Sequence, residues 1–337
     1  MRKLLYGMVV VIVLLVVIGF ALPQSGRVEV ATKIDANAAT VFAQLNDFRR
    51  FSLWAPLLDI DPNVQVLYSG ERRGVGSTMT WNGTVAGSGT QTITASKPFE
   101  RIDIVMNRGE SAEANTWFIL TEDAGFTTVS WGFETDYGLN ILGRYFAPLF
   151  SGVVAREYRS GLERLKELAE GLPVANFSDL EIEQITIEAT EIAYIRTTSA
   201  AEPGAMSDAM GKSYFEILNF IDEHGLEDAG APLSIIRTYS GSDLAFDAAI
   251  PVRDVAESTP REGPVVKLGF TYDGPVLRIK HVGSYRTLGE THGQIASYLA
   301  AHGVARDGPA WESYISDPGS VAETELITIV YYPIILE

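Results

Sequence analysis

The second half of the chain writes one pattern twice. The first copy runs from a strand at Ile185–Thr197 through a helix at Ala205–His224 to "GAPLSIIRTYSGSDLAFDAAIPV". The second runs from a strand at Val276–Val282 through a helix at Thr287–His302 to "GPAWESYISDPGSVAETELITIVYYPI". Both helices close on His-Gly, at Gly225 and Gly303, and glycine suits the left-handed residue that caps a helix C-terminus. After each come a proline, a strand, a turn and a strand that ends apolar–Pro–apolar. One such unit cannot bury its apolar sheet face alone, so the two copies are expected to pair into a single saddle.

The region before the repeat has a different order. In residues 27–170, "RVEVATKIDA" alternates as a strand, and "NAATVFAQLNDF" opens a helix with Asn37 as N-cap. After the loop "RRFSLWAPLLDIDP" come β-rich segments at 64–69, 77–81, 89–94, 101–106, 116–121 and 127–133, punctuated by Gly, Asn and Asp. A long helix over Asn140–Glu170 follows, with Leu142, Phe146, Leu149, Val153, Leu162, Leu165 and Leu168 as the stripe expected to pack on the sheet. Pro148 and Gly152 are expected to kink or loosen its first half. The stretch "LPVANFSDL", 172–180, reads as a linker. The expected division is a segment at 1–23, a domain at 24–171 and a domain at 178–337, each domain with its own core.

The N-terminus bears on the compartment. Arg2 and Lys3 precede 19 uncharged, mostly apolar residues, Leu4 to Leu22. At about 1.5 Å per residue such a helix matches a bilayer's ~30 Å hydrocarbon core. An uncleaved single-pass anchor is the expectation, with the cations cytoplasmic and everything beyond residue 23 extracytoplasmic. A cleaved signal peptide is the alternative, with Gly19 and Ala21 as small residues near a cleavage point and a secreted product.

Composition removes several classes. The chain has 337 residues, a formal net charge of −17 and no cysteine. Disulfides, cysteine-based metal sites and thiol catalysis are excluded, and an acidic field disfavours nucleic acid while favouring cationic guests. The four histidines, His224, His281, His292 and His302, show no metal-ligand spacing, so no metal and no cofactor are expected. "GAMSDAMGKS" ends like a phosphate loop, but Gly204 lies seven positions before Gly211 where the motif needs five, and it reads as a helix start. No Gly-x-Ser-x-Gly elbow occurs.

Residues 27–170, through "IDANAATVFAQLNDFRRFSLWAP", "GVGSTMTWNG" and "GSGTQTITASKPFERIDIVM", resemble the START-like superfamily of polyketide cyclases and lipid-transfer proteins. The resemblance implies an α+β helix-grip domain with an apolar cavity between sheet and long helix. Trp81, Trp117, Phe118 and Phe146 would line it, or else simply fill a core. Residues 181–337, through "HVGSYRTLGETHGQIASYL" and "WESYISDP…ETELITIVYYPI", resemble the GyrI-like family, the effector-binding domain of several bacterial regulators. That resemblance implies a cleft between two β-α-β-β units that binds small aromatic or cationic molecules over a glutamate. No helix-turn-helix pattern accompanies it here.

The glutamate in question is Glu312 in "GPAWESYISDP". Alternation places Glu312 and Tyr314 on one face of the strand and Trp311 on the other. With the repeats aligned on Pro232 and Pro309, Glu312 falls opposite Ile235. The expected ligand site comprises Glu312, Tyr314, Tyr285, Trp311 and Phe270, and a small hydrophobic or cationic amphipathic molecule is the expected partner, besides the membrane. Two other classes stay open. One is a GyrI-like hydrolase using Glu312 as acid or base, and the other is an envelope scaffold built from degenerate domains.

Overall fold

The structure is a computed structural model that describes residues 2–107, 113–200, 203–240 and 243–336. At residues 2–5, 9, 58, 59, 149, 203, 239 and 240 the description is of the backbone alone. The chain divides into two compact units, Met1–Ser178 with Ala300–Gly303, and Asp179–Leu299 with Val304–Glu337.

In the first unit α1 (Arg2–Ala21) leads into β1 (Ser25–Ile34), α2 (Ala38–Leu45) and two single turns, α3 (Phe48–Phe51) and α4 (Leu57–Ile60). Six strands follow: β2 (Gln65–Ser69), β3 (Thr78–Asn82), β4 (Ser88–Lys97), β5 (Arg101–Asn107), β6 (Ala114–Asp123) and β7 (Phe126–Asp136). The long helix α5 (Ile141–Glu170) ends the unit. The sheet order is β1-β7-β6-β5-β4-β3-β2, so a meander is completed by β1 joining its last strand. Asn37 caps α2 as expected, its side chain accepting from the Thr40 N–H at 2.9 Å.

Apolar alternation on the strands points one row of side chains at α2, α3 and the second half of α5. Trp131 of β7 stacks on Tyr158 of α5 with centroids 3.7 Å apart, and its Nε1 donates to Thr116 Oγ1 at 3.1 Å. Phe51, Trp54 and Phe118 close around it. On the opposite sheet face Trp117 lies across Gly132, where any Cβ would meet its ring at 2.0 Å.

The α5 stripe behaves differently along its length. Leu162 and Leu165 are buried, whereas Leu142, Phe146 and Val153 are half exposed or more. The helix runs unbroken through Pro148 and Gly152. Thirty helical residues cover about 45 Å, against about 33 Å for the ten residues of β1 beneath them. The front of the helix therefore overhangs the sheet by about 12 Å, or about eight residues, which is why Leu142 and Phe146 find no core there. Arg144, buried in that overhang, donates to the carbonyls of Gly138, Phe20 and Leu22 and so ties the end of α1 to α5.

The described side chains of α1 from Tyr6 to Phe20 are exposed except at Gly19. Among the described residues no helix is long and apolar enough to cross a membrane. The side chains of Arg2, Lys3, Leu4, Leu5 and Val9, all part of the expected anchor, lie outside the described residues.

The second unit contains β8 (Ile182–Ile187), β9 (Glu191–Ala200), α6 (Pro203–Glu223), the two-residue β10 (Glu227–Asp228), β11 (Leu233–Ser240) and β12 (Asp243–Arg253). Then come β13 (Lys267–Phe270), β14 (Gly274–Val282), a 3-10 turn at Tyr285–Thr287, α7 (Leu288–His302), β15 (Trp311–Tyr314) and β16 (Ile327–Pro333). The sheet order is β13-β9-β12-β11-β15-β16-β14-β8, with β10 beside β12. The repeats are thus β9-α6-β11-β12 and β14-α7-β15-β16, and they meet at the β11–β15 pair. Gly225 and Gly303 take the expected left-handed conformation, φ +64° and +63°.

One strand of the sequence reading is two. Ile185–Thr197 breaks at Glu188–Thr190, and β8 pairs with β14 of the other repeat. Six strand spacings separate β9 from β8 along the sheet, about 29 Å if it were flat. The link between them spans at most about 14 Å, so the sheet must curl. Its helix-free inner face is filled by Ile192, Leu233, Ile235, Ala249, Val276 and Trp311. Helices α6 and α7 cover the other face.

Candidate functional site

The register of the central pair places the candidate carboxylate. Glu312 of β15 lies directly across from Ser234 of β11 and from Val330 of β16, so its side chain stands on the helix-covered face. Ile235 pairs with Trp311 and belongs to the opposite face. The equivalence of Glu312 with Ile235, drawn from the prolines, is therefore one residue out. Counted from the capping glycines, the match is Ser234, and a slip of one residue changes the face.

Both helices aim a polar residue at this point from within an apolar stripe. On α7 the stripe is Leu288, His292, Ile295 and Leu299, and on α6 it is Met210, Tyr214, Ile217 and Ile221. His292 and Tyr214 each stand eleven residues before their capping glycine, so the repeat brings them to the carboxylate from either side.

Glu312 is 4% exposed, and both its oxygens are engaged. His292 Nε2 donates to Oε1 at 2.8 Å, and the Tyr314 hydroxyl donates to Oε2 at 2.5 Å. The His292 Nδ1 lies 2.7 Å from the Tyr332 hydroxyl. In the neutral ring Nδ1 accepts that proton, and in the imidazolium it donates to the phenol oxygen. The Tyr285 ring meets Tyr314 edge-on at 5.3 Å. The Tyr214 hydroxyl donates to the Leu233 carbonyl at 2.9 Å.

Burial and the nearby carboxylate act together on the phenols. Burial pushes Tyr314 and Tyr214 well above the ordinary tyrosine value, and the negative charge of Glu312 adds to it. Tyr332 is pushed up to about 12 by burial, with Arg306 opposing and Glu312 reinforcing. Tyr285 is raised by burial, then by Asp317 and Glu312. These phenols stay protonated at neutral pH and serve as donors and ring walls, not as bases. The group that joins hydroxyl to carboxylate is the imidazole of His292.

Of the expected site, the structure brings together Glu312, Tyr314 and Tyr285. Trp311 is on the inner face, stacked on Tyr331 with centroids 4.8 Å apart. Phe270 lies on β13, four strands from β15, exposed beside the Arg261 guanidinium. Alternation itself puts Trp311 on the face away from Glu312, as the structure does, so counting it among the site walls is inconsistent with that pattern; the strand order that separates Phe270 is beyond what alternation fixes. The four aromatics of the first unit also separate. Trp81 and Phe118 lie in the core, Trp117 is on the opposite sheet face under Arg27, and Phe146 is on the α5 overhang. His292, Tyr332 and Tyr214 are additions to the site. The available signal for two of them was a polar residue inside the apolar stripe of a helix. Among the described residues no cluster of three or more His, Asp or Glu has the arrangement to hold a metal ion.

Comparison with known proteins follows the same division. Residues 25–170 match the family of polyketide cyclases, dehydrases and lipid transport proteins, and residues 180–335 match the GyrI-like small molecule binding domain. No curated protein matches the chain. Similar solved structures include a protein of Chromobacterium violaceum, 14% identical, covering 43% of this chain and 98% of its own, with a TM-score of 0.34. The C-terminal domain of EcmrR is 13% identical, covering 47% and 99%, with a TM-score of 0.39. A hydrolase from Listeria innocua is 15% identical, covering 46% and 92%, with a TM-score of 0.35.

Proposed function

We propose that this chain, a START-like domain followed by a GyrI-like domain, is a membrane-anchored, extracytoplasmic protein that binds a small amphipathic or cationic molecule at Glu312, for sensing, sequestration or transfer. The observation that carries the reading is the buried carboxylate ringed by Tyr214, Tyr285, Tyr314 and Tyr332 between the two repeats. A desolvated carboxylate supplies charge, and the rings supply stacking and cation–π surface, worth about 0.5–2 kcal/mol per contact. Tyr285 and His292 keep part of their surface in solvent, so a guest would approach the carboxylate from their side. The net charge of −17 favours such guests and disfavours nucleic acid.

Titration of the full chain with a cationic aromatic dye tests this. Glu312→Gln is expected to weaken the cation by about tenfold or more, roughly 1.4 kcal/mol, and to leave a neutral dye of the same shape nearly unchanged. Equal cation affinities in both proteins would remove the carboxylate from the site.

The Tyr332–His292–Glu312 chain of hydrogen bonds favours a second reading, hydrolysis with the imidazole–carboxylate pair moving a proton. Turnover of a bound ester or strained ring, abolished by Glu312→Gln, would distinguish it from binding alone.

The anchor rests on the apolar run from Leu4 to Leu22 behind two cations. The mature protein is expected in the membrane fraction with its N-terminus intact. Soluble protein beginning near Leu22 in an extracytoplasmic fraction would replace the anchor with a cleaved signal.

A further inference from the structure

Glu312 meets no ligand in a bare state. One oxygen already holds Tyr314 and the other holds His292, at 2.5 and 2.8 Å. Tyr314 is a neutral donor and can stay while a cation approaches. His292 cannot stay in its charged form, because an imidazolium and a cationic guest would share one buried carboxylate with little water to screen them.

We infer that His292 is the selectivity residue of the Glu312 site: the imidazolium is a built-in competitor, and a cationic guest binds by taking its place on Oε1 with release of one proton. The inference rests on the reading of Glu312 as a cation site, and extends it to when that site is open. The balance is simple. Protein carrying the His292 proton plus cation gives the protein–cation complex plus one proton, with the neutral imidazole turning its remaining N–H elsewhere. Affinity for a fixed-charge cation then rises with pH wherever His292 gives up its proton, while affinity for a neutral guest does not. Histidine is the side chain whose charge ordinarily changes between about pH 5 and 8.

The surroundings leave few other groups to produce that dependence. Tyr332 faces Nδ1 from β16, with the Arg306 guanidinium over its ring at 5.0 Å. Tyr314 faces the carboxylate from β15, Tyr214 from α6 and Tyr285 from the turn before α7, with Asp317 acting on Tyr285. The phenols are all held protonated across the neutral range, and arginine keeps its charge throughout it. Asp317 lies outside the hydrogen-bonded chain, with its carboxylate held by Ser320 and the Gly319 N–H. The rivals are Glu312 itself, whose own protonation would also weaken a cation at low pH, and His281, which is buried on β14 on the same sheet face with its Nδ1 2.8 Å from the Thr291 hydroxyl of α7.

The repeat supports the assignment by contrast. The matching position on α6 is Tyr214, whose hydroxyl is spent on the Leu233 carbonyl and cannot change charge near neutrality. The scaffold therefore accepts an uncharged residue at this point, and the imidazole is what makes the second copy different.

The test uses the full chain and two probes of one shape, N-methylquinolinium, whose charge is fixed, and neutral 1-methylnaphthalene. N-methylquinolinium should bind about tenfold tighter at about pH 8.5 than at about pH 5.5, while 1-methylnaphthalene should change less than about twofold. Calorimetry in buffers of different ionisation enthalpy should read proton release on binding the cation near the lower pH. His292→Gln keeps a donor for Oε1 without the charge. It should bind the cation nearly as well at the lower pH as at the higher. A pH dependence that survives in His292→Gln belongs to Glu312 or His281 and overturns the inference, as does cation binding that is flat or falls with pH in the unaltered chain. If the cation is bound equally by the unaltered chain and Glu312→Gln, it is the site reading that fails, and the inference with it. Circular dichroism of each variant at both pH values separates these outcomes from misfolding. If His292→Gln does not fold, His292→Asn provides the same comparison.

Discussion

Between about pH 10 and pH 12 the second unit is expected to lose its fold in one cooperative step, with the phenolates of its buried tyrosines and the loss of circular dichroism appearing together. Three buried phenols drive it. Tyr214, Tyr314 and Tyr332 all have values raised in the folded state, through burial first and the Glu312 charge second for Tyr214 and Tyr314, with Arg306 partly opposing at Tyr332. A raised folded value means that the stabilisation is fully present below the unfolded value near 10. It is lost as pH rises, because the unfolded chain gives up the proton first. For Tyr332, at about 12, the loss approaches roughly 3 kcal/mol, and the other two add to it. That is a large share of the roughly 5–15 kcal/mol that holds a domain together. The double variant Tyr214→Phe, Tyr332→Phe should lose less stability over this range than the unaltered chain, even if hydrogen-bond losses lower its starting value. A fold that stays intact up to about pH 12 while the Tyr214, Tyr314 and Tyr332 phenolates form would show these three tyrosines to be exposed.

Trp131→Ala should lower the stability of the first unit by about 3–5 kcal/mol, the usual cost of emptying a large aromatic site. Trp131 is 5% exposed, and its ring lies flat on Tyr158 while Phe51, Trp54 and Phe118 abut it. Removing it opens a cavity between sheet and α5 and leaves the Thr116 hydroxyl without the indole N–H. Trp131→Phe keeps a stacked ring and should cost about half as much or less. Urea unfolding of each variant provides the check, as a lower midpoint at unchanged slope. If Trp131→Ala costs less than about 1 kcal/mol, a ligand-sized cavity already lies beside it, as the START-like resemblance implies.

Much of the fold was legible because each signal was local. β-rich segments set off by Gly, Asn and Asp located β2 to β7, Asn37 marked the start of α2, and Gly225 and Gly303 marked the ends of the repeat helices. The break between β8 and β9 was not legible, because "EQITIEATEIAYI" keeps a strand-like composition through Glu188–Thr190 with no Gly or Pro to mark it. The exposed front of α5 was misread for a different reason. Periodicity predicts an apolar face, while the length of the strand underneath decides how far that face is covered. At the site, Glu312 was implied by the GyrI-like resemblance, Tyr314 followed from sharing its face by alternation, and Tyr285 from its place at a neighbouring strand end. His292 required knowing that the stripe of α7 meets β15. Phe270 and Trp311 were placed by aromatic character; for Trp311 alternation already pointed to the other face, and for Phe270 strand order, which alternation does not fix, puts it four strands away.

The three-residue link between β8 and β9 also sets a schedule for synthesis. β8 pairs with β14, roughly ninety residues later in the chain. At about 5–20 residues per second, β8 leaves the ribosome some 5–20 seconds before the strand that hydrogen-bonds to it exists. β11 likewise presents a bare edge until β15 arrives. Through that interval the nascent unit carries open strand edges, which invite pairing with other chains. A stop codon between the repeats would thus yield a strand donor rather than half a domain, and slowing translation after residue 253 should raise the demand for chaperones.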